Sequence, residues 1–169
     1  MAPLWLLARL YLGWQWLHSG WSKVTGDGWL NQGGVALQGY WEAAVRVPEE
    51  GRPTITYDWY RDFLQYMLDH EWYEWFAVVI ATGEVIVGLM LIAGAFTAIA
   101  AFFGAFMNFN FLLAGSASTN PVLFVLALLL MGAWKTAGHI GVDRWLLPAL
   151  GAPWSPGGLF RREAQPHRG

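Results

Sequence analysis

Four apolar runs, at residues 4–21, 75–91, 96–113 and 122–137, alternate with polar stretches along the chain. Each approaches or exceeds the ~18 residues that read as a membrane-spanning helix. The pattern predicts an all-α fold, a four-transmembrane-helix bundle with spans at 3–23, 73–93, 95–114 and 120–142. The links between the last three spans are short, so those helices are expected to be antiparallel neighbours. A retained first span is expected, because the N-terminus has no basic leader and Arg9 interrupts the apolar stretch. Residues 1–147 form the expected membrane domain, and 148–169 an irregular tail rich in proline and glycine.

The polar stretch 24–72 is predicted to be an extracytoplasmic loop carrying one or two surface helices. Residues 58–71 have helical spacing, with Trp59, Phe63, Tyr66 and Met67 on one side, and are expected to cap the bundle. Residues 30–45 predict a shorter helix, and the proline- and glycine-containing 47–54 a turn between the two. The loop holds eight acids against Arg46, Arg52 and Arg61, whereas the tail holds Arg144, Arg161, Arg162 and Arg168. The excess of basic residues on the tail side is expected to place both termini in the cytoplasm and the acidic loop outside.

Composition supports that picture. The 169 residues are 56% hydrophobic and 13% charged, against about 25% charged in ordinary soluble domains. A net charge of −2 gives no pull toward nucleic acid. The absence of cysteine excludes disulfides, thiolate metal sites and iron–sulfur clusters, and no zinc motif occurs. Several of the twelve tryptophans lie near span ends, where an aromatic belt sits.

The chemistry rests on the polar residues inside the apolar runs. A charge at bilayer depth costs roughly 2.5–3.5 kcal/mol, so such residues have a use. Arg9, Gly13, Trp16, Gly20 and Lys23 recur on one face of the first span, and His18 on the other. Lys23 reads as a lysine reaching for the interface. Glu84 lies mid-span with Gly88 on its face. Lys135, His139 and Asp143 form an i, i+4 stripe on the fourth span. Arg9, Glu84 and Lys135 count to similar depths, which predicts that Glu84 bridges Arg9, Lys135 or both. Asn108, sharing a face with Gly104, is the asparagine expected to point inward. His18 and His139 fall at opposite ends, which argues against a haem held between them. The candidate catalytic residues are therefore Glu84 and His139. The candidate cofactor-binding residues are Arg9, Asn108 and Lys135, with no metal ligand.

Several short motifs resemble the DoxX family of small four-helix membrane proteins. These are Arg9-Leu10 with Gly13, and Gly20 with Lys23. The pieces Trp59-Tyr60 with Phe63-Leu64, Gly83-Glu84 with Gly88, Asn108-Phe109-Asn110-Phe111, Asn120-Pro121 and Asp143-Arg144-Trp145 are similar to its DoxD branch, the small subunit of thiosulfate:quinone oxidoreductase. The resemblance spans about residues 5–147. It implies an inner-membrane protein working with a second subunit, or as a homo-oligomer, in electron transfer to a quinone. Three functions are open at this point: a quinone-linked oxidoreductase subunit, a non-catalytic anchor or assembly partner, and a small-solute or proton transporter. The first expects a lipid-accessible cleft near Glu84 and Lys135, the second a filled bundle with every charge paired, the third a path through the bundle.

Overall fold

A computed structural model describes residues 2–151. Among these, every regular element is a helix: α1 (Ala2–Thr25), α2 (Val35–Val45), α3 (Asp58–Asp69), α4 (Tyr73–Ala93), α5 (Thr97–Leu113), α6 (Asn120–Gly132), α7 (Trp134–Ala137) and α8 (Asp143–Ala149). The all-α expectation is met. Among the described residues one helix, α4, is long and apolar enough to cross a membrane, with 21 residues and a mean hydropathy of 2.4. α5 and α6 are apolar but shorter. The tail expected at 148–169 lies outside the described residues from 152 onward, and Pro148 sits within α8.

The long helices form two tight pairs, α1 with α4 and α5 with α6. The first pair packs backbone to backbone. A Cβ placed on Gly20 would lie 2.7 Å from the Val85 nitrogen, and one on Gly88 would lie 2.5 Å from the Leu17 nitrogen. Only hydrogen fits at these positions, the small-residue logic of helices that meet where the hydrophobic effect does not drive them together. The predicted inward face of α1 is observed, with Arg9, Gly13, Trp16 and Gly20 all buried.

The α4–α5 turn is a Schellman-type stop. Gly94 adopts a left-handed φ of 66°, and the Ala95 amide donates to the Met90 carbonyl at 2.9 Å. Asp143, far along the chain, then caps α5. Its carboxylate accepts from the Phe96 and Thr97 amides at 2.5 and 2.8 Å, satisfying donors that the first helical turn leaves open.

The fourth predicted span departs from expectation. α6 ends at Gly132, a single turn of α7 follows, and the chain bends through Gly138 and Gly141 before α8. The Gly141 position presses against Gly94, where a Cβ would lie 2.9 Å from its Cα. The i, i+4 stripe of Lys135, His139 and Asp143 is thereby broken, because helical spacing holds only while the helix continues.

α2 and α3 cover one end of the bundle, as expected, but α3 is rotated from its predicted orientation. Its inward side chains are Tyr60, Leu64 and Met67, whereas Trp59, Phe63 and Tyr66 are exposed. The outer faces of the long helices are equally apolar: Ile86, Leu89, Phe102, Phe106, Val125 and Leu129 are all exposed. A helix apolar on every side is not built to face water.

Candidate functional site

Two cations organise the bundle at opposite ends, Arg9 buried and Lys23 half-buried. At the covered end, the Lys23 ammonium donates to both carboxylate oxygens of Glu84 at 2.6 Å and to the Ser19 hydroxyl at 2.8 Å. Glu84 is 0% exposed and the Lys23 side chain 17%. The ammonium lies 5.0 Å from the centre of the Trp29 ring and 5.9 Å from that of Phe111, so its field is shared with two π faces. Lys23 is therefore Glu84's partner rather than a lysine reaching for the interface. The expected bridge from Glu84 to Arg9 or Lys135 is not formed.

Arg9 works at the other end. Its guanidinium donates to the carbonyls of Ala137 at 2.7 Å and Ile140 at 2.6 Å. It feels the charge of buried Asp143 and packs on Gly94 and Gly141. The fork thus ties α1, the α4–α5 turn and the bend before α8 into one knot. Equal depth fails because the helices are staggered. Arg9 is level with Gly94, ten residues past Glu84, or about 15 Å along the axis at 1.5 Å per residue. The expected cofactor ligand Lys135 is exposed, with its ammonium 5.6 Å from the Trp134 ring centre, and His139 is exposed beyond it. Neither joins Glu84. Asn108 is buried as expected, and neither its side-chain oxygen nor its nitrogen has a protein partner.

Two cavities flank this framework. The larger, 590 Å³, opens between α4 and α5 under the cover of α2 and α3. Its walls are apolar, with Gly83, Ile86 and Phe103 among them, and Tyr40, Tyr60 and Asn110 supply the polar atoms. The Tyr60 hydroxyl lies 3.1 Å from the Asn110 carbonyl oxygen and 3.3 Å from its side-chain oxygen. The smaller cavity, 270 Å³, is polar and reaches Glu84 from the far side, past Gln15, His18, Ser19 and Thr119. Sequence reasoning missed Lys23, Tyr60, Asn110 and Phe111 as site residues. For Lys23 the signal was present, since it shares the inward face with Arg9 and the glycines.

Burial pushes the Tyr60 phenol up to about 12, with Tyr40 nearby adding to the shift. The neutral phenol is favoured in the fold. The stability it contributes is complete below the ordinary value of 10.0 and is lost as pH rises through about 12. Spectroscopic titration is expected to show a late tyrosinate step coinciding with loosening of α3, and Tyr60→Phe should remove that step. Simultaneous ionisation of all six tyrosines would contradict the assignment.

Paired charges inside an all-helical bundle, glycine-mediated helix contact and apolar outer faces define a small helical membrane-associated protein. The chain belongs to the DoxX family, whose match covers residues 4–116, from α1 through the end of α5. No curated protein and no solved structure matches it.

Proposed function

We propose that the chain is a multi-pass inner-membrane subunit of a quinone-linked oxidoreductase, of the thiosulfate:quinone type found in the DoxD branch. In this reading α1, α4, α5 and α6 all span the bilayer, both termini are cytoplasmic, and a second protein subunit supplies the donor side. The DoxX family is associated with quinone-linked oxidoreductase subunits. The observation that carries the proposal is the apolar cleft between α4 and α5. At 590 Å³ it lies within the ~300–1,000 Å³ typical of small-molecule sites. Its apolar walls suit a ring with a hydrocarbon tail, and the Tyr60 hydroxyl is a donor that can turn from Asn110 to a ring carbonyl. A bound quinone would supply the electron-accepting chemistry, while these residues would bind and orient it. Glu84 follows Gly83 directly in sequence, and Gly83 lines the cleft.

Filling the cleft tests the proposal. A Cβ on Gly83 meets only the Met107 sulfur at 3.8 Å, so Gly83→Leu projects into open space without disturbing the α1–α4 contact. Binding of a short-chain quinone, followed by quenching of tryptophan fluorescence, is expected to weaken at least about tenfold, a loss of ~1.4 kcal/mol. Tyr60→Phe should weaken it by a few fold, as removal of one hydrogen bond does. Equal affinity in wild type and Gly83→Leu would rule out this cleft as the quinone site.

A second reading, a non-catalytic assembly partner, is favoured by the Arg9 knot, where a buried charge is spent wholly on carbonyls. It expects no quinone affinity in either protein.

A further inference from the structure

We infer that the smaller cavity is an aqueous inlet from the covered end of the bundle to Glu84, and that the Phe111 ring is the partition dividing it from the apolar cleft. The second half of the inference rests on the proposed function for its meaning, but neither half needs a quinone to be tested.

The inlet follows from the chemistry of its walls. His18 and Thr119 at its edge are exposed, Gln15 and Ser19 line its side, and fully buried Glu84 is reached at its inner end. Empty cavities in proteins are apolar, whereas polar ones with room for water hold it. Water in the 270 Å³ space hydrates the second face of the Lys23–Glu84 pair and places that carboxylate in proton exchange with one side of the bundle.

The partition follows from shared walls. Phe111 lines both cavities. Its ring faces the Lys23 ammonium at 5.9 Å and Trp16 at 6.5 Å between ring centres. On α4, consecutive residues about 100° apart around the axis line different spaces, Gly83 the cleft and Glu84 the inlet. Between water and the apolar cleft there stands one aromatic ring and a residue without a side chain. Such an arrangement keeps water out of the cleft while leaving Glu84 one ring away from whatever occupies it.

The chain has no cysteine, so single cysteines report access directly. Ser19→Cys and Gln15→Cys on the inlet wall, and Val125→Cys on the exposed apolar face of α6, are treated with a small water-soluble methanethiosulfonate in lipid vesicles. The thiolate is the reacting form and apolar surroundings suppress it, so the two inlet positions are expected to react about tenfold or more faster than Val125→Cys. Rates no faster than at Val125→Cys would overturn the inlet. Gly83→Cys reports the cleft. It is expected to react slowly in the wild-type background and about tenfold faster when Phe111→Ala is added. A Gly83→Cys rate untouched by both Phe111→Ala and the milder Phe111→Leu would overturn the partition. A protein that passes both labelling tests yet binds no quinone leaves the inlet and partition standing and refutes the proposed function alone.

Discussion

Lys23→Met is expected to destabilise the protein by about 3–5 kcal/mol, the cost of breaking a buried ion pair by removing one partner. The effect is large because of what remains. Glu84 is fully buried, and the one ammonium donates to both of its oxygens. Methionine keeps much of the lysine stem's packing between Trp29 and Phe111, so the loss reports charge rather than a cavity. Adding Glu84→Gln should restore most of the stability, since two neutral groups of similar shape leave no charge to compensate. Thermal unfolding of the four proteins in detergent forms the double-mutant cycle. If the double variant is no more stable than Lys23→Met, the pair is not what holds α1 to α4 at this end, and close packing at Gly20 and Gly88 is.

Arg9→Met is expected to cost a comparable amount, about 3–5 kcal/mol, through a different mechanism. The guanidinium serves two carbonyls, that of Ala137 at the end of α7 and that of Ile140 in the bend that follows. Without it those acceptors lose their donor, and Asp143 loses the positive charge beside it while still capping α5. Arg9→Lys should recover only part of the loss, because an ammonium has no planar fork to span both carbonyls. The change should appear as local opening first. Hydrogen exchange is expected to rise at the Phe96 and Thr97 amides and around residues 137–143, with α2 and α3 unaffected. An Arg9→Met protein that melts with the wild type would remove the knot from the account of this fold.

The two effects show why the sequence located the charges but not their partners. Periodicity alone put Arg9, Gly13, Trp16 and Gly20 on one face and Asn108 on the inward side of α5, and the structure agrees. Gly13 and Gly20 lay on that same inward face, and the link between α4 and α5 was expected to be short. All of these are local consequences of 3.6 residues per turn and of side-chain size. Pairing across helices is not local. It depends on axial stagger, and the knot sets that stagger by holding Arg9 level with Gly94. Glu84 and the Gly94 level of Arg9 lie ten residues apart on α4, the better part of that helix's length, which counting from span ends could not reveal. The stripe Lys135–His139–Asp143 failed for a related reason. The apolar run continues to Ala137, yet α6 stops at Gly132, because the chain must bend for Ala137 and Ile140 to meet Arg9 and for Asp143 to reach α5.

The sequence by itself determined an all-helical protein with buried charges, a covering segment between its first two long helices, and membership of a membrane-associated family. Those properties follow from composition, local periodicity and short motifs. Only the tertiary structure decided that Lys23 is the counter-ion of Glu84, that α3 turns Tyr60 rather than Trp59 inward, and that Phe111 lines both the smaller cavity and the apolar cleft. Each of those depends on how far one helix slides and rotates against another, and that is set by the sum of contacts along both helices rather than by any one stretch of chain.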